Sequence, residues 1–285
     1  MLFDLQQILE LADAKKIAVG AFNVNTLQGV QAVLEAAEEL KQPVILQFAP
    51  VHGAFIDLDI LGPIMVDLAE KAQVPVCVHL DHGEELSILH QALEIGFTSV
   101  MYDGSMLPYE ENVAYTRLAV DMAAEYGASV EAEIGAMGRE EFSSLGESGE
   151  AEALSSTYTD PDQAEEFVDE TGVDALACSF GTVHGLYLTE PCLDFERIKE
   201  IRDKIGIPIV MHGGSGVSDE DFRKCIENGV RKINYYTYMA KAGGEYVKEM
   251  LSKSEGPAFF HDISVWGKEA MKEDIKKAIK VFSNL

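Results

Sequence analysis

The sequence predicts an α/β fold of the (β/α)8 TIM-barrel class, built as one domain over residues 1–285, and three observations carry the prediction. Eight apolar, β-rich runs recur along the chain, each short enough for a strand and apolar enough to be covered on both faces. Between them lie stretches with helical periodicity, several closed by a glycine suited to a left-handed C-cap. The length of 285 residues is ordinary for one such barrel. An open doubly wound sheet would use the same elements, but it has no reason to stop at eight, and no G-x-G-x-x-G follows the first run.

Taken in order, the chain opens with "MLFDLQQILELADAKK" (1–16), an amphipathic helix. The strands that follow are "IAVGAFNV" (17–24), "PVILQFA" (43–49), "PVCVHLD" (75–81) and "SVMYDGS" (99–105). The second half supplies "ASVEAEIG" (128–135), "ALACSFG" (175–181), "PIVMHGG" (208–214) and "KINYYT" (232–237). Helical stretches alternate with them, among them "LQGVQAVLEAAEEL", "LSILHQALEIG", "ENVAYTRLAVDMAAEYG", "DPDQAEEFVDETG" and "DEDFRKCIENG". One connection breaks the rhythm. Residues 136–159 are polar, acidic and rich in Gly and Ser, and a loop of that length at the end of the fifth strand is expected to be a mobile lid. A C-terminal helical extension over about 262–283 carries apolar positions that would pack on the barrel or against a second subunit.

Composition closes off several function classes. The formal charge of −27 argues against nucleic acid and anionic membrane surfaces, which need a basic footprint. No run approaches the roughly 20 apolar residues of a membrane span, and the acidic N-terminus lacks the basic region of a secretory signal. Cys77, Cys178, Cys192 and Cys225 form no C-x-x-C pair, and Cys77 and Cys178 sit inside apolar runs. Buried thiols in a reducing, cytoplasmic setting are therefore expected.

In a barrel of this class the chemistry lies at the C-terminal ends of the strands. Those ends carry Asn23, Gln47, Asp81 with His82, Asp103, Glu133, His184, His212 and Asn234. Three histidines and three carboxylates thus converge on one mouth, a set with metal-ligand composition. His82, His184 and His212 come from different strands, so spacing does not certify a site; three imidazoles with an open position do match a catalytic zinc arrangement. Asp103 and Glu133 are expected to orient those imidazoles or to serve as alternative ligands. Any one of these histidines alone would more often be a satisfied structural residue. His79, two residues before Asp81, should face the same side one layer deeper. His52 is placed near the mouth, His90 and His261 on helices or surface. "HGGSG" (212–216) leads into a helix, and its N–H groups, with Gly213, Gly214, Ser215, Asn234 and Thr237, form a candidate phosphate cradle. Lys232 begins a strand and is expected at the far end of the barrel.

The motifs "HLDHG", "SVMYDGS", "EAEIG", "GTVHGLY", "HGGSG" and "KIN..T", in this order, resemble those of the class II, zinc-dependent ketose-bisphosphate aldolases, which act on fructose or tagatose bisphosphates. The resemblance runs through nearly the whole chain. It implies one catalytic zinc per chain on His82, His184 and His212, with Asp81 exchanging a proton with the substrate's C4 hydroxyl. It places a second proton-transfer glutamate at Glu140 or Glu141, with Glu141 favoured. Phosphate would be bound by Gly185, Gly213, Gly214, Ser215, Asn234 and Thr237, beside Asn23, in a region that commonly also holds a monovalent cation. The implied reaction is reversible cleavage of a ketose phosphate to dihydroxyacetone phosphate and an aldehyde, with zinc stabilising the enediolate charge. Cobalt or iron would suit the same ligands. A homodimer or homotetramer is expected, with no nucleic-acid or membrane partner.

Three departures bear on the substrate. Leu188 stands where many members carry a lysine near phosphate, Tyr235, Tyr236 and Tyr238 surround Thr237, and "QFAPVHGAF" lacks a Gly- or Ser-rich turn for a second phosphate. A substrate that keeps the dihydroxyacetone phosphate half and lacks the second phosphate fits these departures. The competing readings are a non-catalytic sugar-phosphate-binding barrel, which would be expected to have lost at least one zinc ligand or the proton-transfer acid, all of which are present, and a metal-dependent hydrolase. Sites of the hydrolase type commonly begin with H-x-H on the first strand, which here ends "AFNVN".

Overall fold

The computed structural model describes residues 1–135, 138–140, 158–185 and 191–285. Eight parallel strands close into a barrel in the order β1 (Val19–Asn23), β2 (Val44–Phe48), β3 (Val76–Gly83), β4 (Ser99–Tyr102), β5 (Ser129–Ile134), β7 (Ala175–Cys178), β9 (Ile209–Met211) and β10 (Val230–Tyr235). Helices α2 (Leu27–Leu40), α3 (Leu58–Lys71), α4 (Leu86–Ile95), α5 (Tyr109–Tyr126), α6 (Pro161–Thr171), α7 (Phe195–Ile205) and α8 (Asp219–Glu227) cross between them. The TIM barrel read from the sequence is the observed fold. Glycine does end the helices as the pattern predicts: Gly96, Gly127, Gly172 and Gly206 cap α4 to α7 in the left-handed region.

Two short strands stand outside the barrel. β6 (Gly138–Glu140) pairs in parallel with β8 (Val183–Gly185), Arg139 opposite His184 and Glu140 opposite Gly185. Three-residue strands carry too little periodicity to be seen in a sequence. The barrel strands also stop earlier than their apolar runs suggest: β7 ends at Cys178 and β9 at Met211, so His212 sits just past its strand.

The far end of the barrel is plugged by α1 (Leu5–Lys15), whose Leu5, Ile8, Leu9 and Ala12 pack with Val19, Ala21, Ile45, Cys77, Ala177 and Val210. Its start is fixed by a capping box, Asp4 accepting from the Gln7 N–H at 2.7 Å and Gln7 accepting from the Asp4 N–H at 3.3 Å. Each buried leucine or isoleucine there is worth about 1.5–3 kcal/mol. The second apolar layer lies between the strands and the surrounding helices. On the outside, α9 (Thr237–Lys253) and α10 (Phe260–Phe282) form a hairpin, and α10 lies against α2 and α8. Phe282 is fully buried at the edge of Phe222, while Lys268 and Lys272 reach Glu35. Of the two roles open to the C-terminal helix, this one packs on its own barrel. Among the described residues no helix is long and apolar enough to cross a membrane.

Candidate active site

Successive residues of a strand point to opposite faces, so Asp81 and His82 would not both face the mouth on a regular β3. The pairing of β3 with β4 shifts register between Leu80 and Gly83, and His82 takes a left-handed φ of 50°. This bulge turns His82 to the same side as Asp81. Holding a non-glycine residue there costs about 1–3 kcal/mol, and such strain clusters at functional sites. Gly83 makes the bulge possible: a Cβ on it would lie 2.8 Å from the Met101 carbonyl oxygen and 2.4 Å from a Leu89 methyl.

The outcome is a compact donor set. Asp81, His82 and His212 bring one ligand atom each to within 4.8 Å of one another, and His82, Asp103 and Glu133 form a second such group. The His82 and His212 rings meet edge to face, 4.6 Å between centroids. His82 Nδ1 lies 2.7 Å from Asp103 Oδ2, and His212 Nε2 lies 2.9 Å from Glu131 Oε1, its Nδ1 3.2 Å from Glu133 Oε2. An imidazole that donates one nitrogen to a carboxylate presents the other as a metal ligand. The residues therefore fit a zinc ion, which His82 would meet through Nε2 and His212 through Nδ1. Burial lowers the pKa of His212, but Glu131 and Glu133 more than reverse this and raise it to about 10. Burial likewise works against the charge on His82, and Asp81 and Asp103 outweigh it.

Asp81 sits at the centre of an amide cage. Asn23 Nδ2 donates to Oδ2 at 2.8 Å, Gln47 Nε2 to the same oxygen at 3.4 Å, and Asn234 Nδ2 to Oδ1 at 3.0 Å. Gln47 also donates to Asn23 Oδ1 at 2.7 Å, which fixes the Asn23 amide. Burial pushes this carboxyl up, yet His82, His212 and Lys232 hold it well below the usual carboxylate range. Beneath lies a charged layer that sequence reading missed. Lys232 is not at the far end of the barrel: its fully buried Nζ stands 2.9 Å from Glu131 Oε2 and donates to Asn234 Oδ1 at 2.8 Å. Glu131, two residues before Glu133, and Lys232, two before Asn234, share the inward parity of their partners. That alternation is the signal by which both were findable. His79 occupies the same layer, as its parity predicts, with Nδ1 2.8 Å from Ser99 Oγ.

The glycine-rich loop comes close to β10. Gly213 has a φ of 66°, and a Cβ on Gly214 would stand 2.8 Å from the Asn234 carbonyl oxygen. Ser215 Oγ accepts from the Tyr236 N–H at 3.3 Å. Thr237, expected on the eighth strand, is instead the first residue of α9, so its backbone lies in a helix's first turn, where N–H groups have no intrahelical acceptor. His184 and Gly185 are backbone positions of β8, and Glu140 of β6. Glu141, Leu188 and most of the expected lid at 136–159 lie outside the described residues.

The tyrosines divide by strand parity. Tyr235 points outward, its hydroxyl donating to Asp274 Oδ2 of α10 at 3.0 Å. Tyr236 stays on the mouth side, where its hydroxyl accepts from Asn25 Nδ2 at 2.8 Å and its ring lies 4.7 Å from that of His52. His52, in the 3-10 turn Pro50–Ala54 after β2, is buried, and its Nδ1 has no hydrogen-bond partner among the described residues. Burial lowers its pKa, against the pull of Asp81.

A parallel eight-stranded barrel with histidines and carboxylates gathered at its C-terminal mouth defines an enzyme of the (β/α)8 class with a metal-type centre. The chain belongs to the class II fructose-bisphosphate aldolase family, whose model matches residues 3–285, and it is an aldolase. It is 39% identical over 285 residues to the Escherichia coli K12 protein YdjI, covering 100% of this chain and 98% of that one. The crystal structure of the YdjI aldolase superposes with a TM-score of 0.87 at 37% identity, over 99% of this chain and 97% of the other. That of fructose-bisphosphate aldolase from Campylobacter jejuni gives 0.81 at 25% identity, over 99% and 95%.

Proposed function

We propose that this aldolase cleaves a ketose 1-phosphate between C3 and C4, reversibly, to dihydroxyacetone phosphate and an aldehyde that carries no second phosphate. The observation that carries the reading is the state of Asp81: a buried carboxylate, kept ionised, held by amides of three different strands beside two imidazoles. A group so placed is suited to take the C4 hydroxyl proton as the C4 carbonyl forms and the C3–C4 electron pair leaves with the ketone half. Glu141 is assigned the return of a proton to C3. Gly185, Gly213, Gly214, Ser215, Asn234 and Thr237 are assigned to the phosphate, and Asn23 to the aldehyde-half hydroxyls beside Asp81. A monovalent cation near the phosphate would offset part of its charge.

The metal is assigned as zinc on His82, His184 and His212, with Glu133 as an alternative ligand. Bound there, zinc would act as a Lewis acid on the ketose carbonyl side, where negative charge develops. Asp103 and Glu131 aim the imidazoles. The missing second phosphate follows from the β2 turn, where Ala49, Pro50 and the neutral, buried His52 offer no cationic group, and from Tyr236, which stands against His52.

The test is retro-aldol activity on a panel of ketose mono- and bisphosphates, followed by dihydroxyacetone phosphate release, before and after chelation and zinc restoration. Chelator-sensitive, zinc-restored cleavage that favours monophosphates is expected. Asp81→Asn should lower kcat by about 10²- to 10⁴-fold while zinc content is kept. Release of inorganic phosphate without carbon–carbon cleavage would assign a hydrolase instead. Equal cleavage of fructose 1,6-bisphosphate and the best monophosphate would reject the substrate assignment.

A further inference from the structure

The interior of a (β/α)8 barrel is ordinarily filled by layers of branched aliphatic side chains. Here the layer directly under the mouth holds Lys232, Glu131 and His79, all fully buried. A buried ion pair is weak evidence for stability, because desolvation costs several kcal/mol per ion and an apolar pair of similar size is often as stable or more so. The layer therefore calls for a reason other than stability.

Its polar contacts supply one. Glu131 uses both oxygens, Oε2 in an ion pair with Lys232 Nζ at 2.9 Å and Oε1 in a hydrogen bond with His212 Nε2 at 2.9 Å. With its carboxylate pinned by the ammonium, Glu131 holds a proton on His212 Nε2, and Nδ1, which faces Glu133 at 3.2 Å, is the nitrogen left to give up its proton to a metal. Lys232 also donates to Asn234 Oδ1 at 2.8 Å. An ammonium has donors only, so it accepts the amide in one of its two orientations, the one that points Nδ2 at Asp81, 3.0 Å away. The opposite orientation would face the amide oxygen with the Asp81 carboxylate and the amide nitrogen with a cation.

We propose that Lys232 is a positioning residue: one buried cation sets, through Glu131, the tautomer that His212 offers to metal and, through Asn234, the orientation of the Asp81 carboxylate. Lys232 touches neither metal nor substrate. The inference rests on the assignment of His212 to the metal and Asp81 to proton transfer, and it adds the element that couples them.

The experiment replaces the pair with apolar groups, Glu131→Leu with Lys232→Met, in the full chain. Three quantities are read: thermal stability, zinc affinity by competition with a chelator, and the ¹⁵N shifts of the His212 imidazole. The expected result is a folded protein of comparable melting temperature. Its zinc binding is weakened 10- to 100-fold, and in the zinc-loaded protein its imidazole signals are moved away from the single Nε2–H pattern of the zinc-loaded parent. At saturating zinc, kcat should still be reduced at least tenfold with KM changed less, because Asp81 has lost its aligned donor. Should this double variant not fold, Glu131→Gln carries the test, since its amide can turn an N–H toward His212 and spoil the tautomer without changing size. Zinc affinity and imidazole shifts within twofold and within error of the parent, in whichever variant folds, would overturn the proposal. Affinity and tautomer are read without substrate, so failure of the aldolase assignment on the sugar panel is distinguishable from failure here.

Discussion

His82 Nδ1 and Asp103 Oδ2 are 2.7 Å apart, and the same carboxylate accepts from the Ser105 N–H and hydroxyl through its other oxygen, at 3.1 and 2.7 Å. Asp103 is thus anchored by its own turn and aims the imbedded ring of His82, whose backbone is already set by the bulge. Burial works against its charge, but the His82 and Ser105 hydrogen bonds hold its pKa well below the usual range. Asp103→Ala is expected to weaken zinc binding about 10- to 100-fold, measured by chelator competition. An unchanged affinity would show that the backbone alone orients His82.

The bulge itself is open to a one-atom test. Gly83→Ala places a methyl group 2.8 Å from the Met101 carbonyl and 2.4 Å from Leu89 Cδ1, and the backbone oxygen has little room to retreat. Overpacking of this kind costs about 1–3 kcal/mol. The variant should melt several degrees lower and, because Gly83 adjoins His82, lose zinc affinity as well. A variant with normal stability and normal zinc binding would mean that the β3–β4 register shift is not what brings Asp81 and His82 together.

These two sites mark what a sequence can reveal here. Barrel class, strand order and the polar strand ends are legible because parallel strands buried on both faces leave near-continuous apolar runs, and a break such as "HLDHG" stands out against them. The β3 bulge is not legible, since register depends on pairing with β4 and not on β3 alone. Lys232 was misplaced because a lysine at the start of an apolar run looks like a solvated strand end. Its partner Glu131 lies 101 positions earlier in the chain, and only barrel closure brings the two charges into one layer. The two tyrosines divide as strand alternation allows, but which one faces the mouth follows from Asp274 on α10, a contact no local pattern announces.

Acid stability follows from the buried layer. Burial, helped by Lys232, lowers the His79 pKa to about 3, whereas the unfolded chain titrates near 6.5. As pH falls through that window the unfolded state binds a proton that the folded state refuses, so stability is lost from about pH 6.5 downward at about 1.4 kcal/mol per pH unit. Glu131, opposed by burial but lowered to about 2 by Lys232 and His212, adds loss in the same direction below its ordinary value of 4.5. His212, raised to about 10, is protonated in both states once the pH lies a unit or more below 6.5, and it contributes almost no slope there. Urea unfolding of metal-free protein between pH 6.5 and 4.5 should show this decline, and His79→Gln should flatten it by about one proton. An equal slope in parent and variant would remove His79 from the account.

On the proposed reading, the aldehyde end of the substrate meets His52 and Tyr236. The His52 ring packs 4.7 Å from Tyr236, whose hydroxyl is held by Asn25 at 2.8 Å and whose N–H is held by Ser215 at 3.3 Å. The tyrosine therefore links the glycine-rich loop after β9 to the turns after β1 and β2, and it is fixed at both ends. A rigid aromatic wall of this kind selects by shape, and a neutral imidazole beside it offers one hydrogen bond and no charge to an incoming group. Tyr236→Phe removes only the Asn25 bond and should change the preference between monophosphate and bisphosphate substrates by less than about threefold, since a neutral hydrogen bond is worth about 1 kcal/mol or less net. Tyr236→Ala opens the wall and should raise kcat/KM for longer or bulkier aldehyde halves relative to the preferred substrate by tenfold or more, a difference of about 1.4 kcal/mol. His52→Ala should relax the same preference while leaving zinc affinity within twofold of the parent, because His52 lies outside both ligand groups, Asp81, His82 and His212, and His82, Asp103 and Glu133. If neither alanine variant alters the ranking of substrates, the wall is a structural bridge between turns and does not select the substrate.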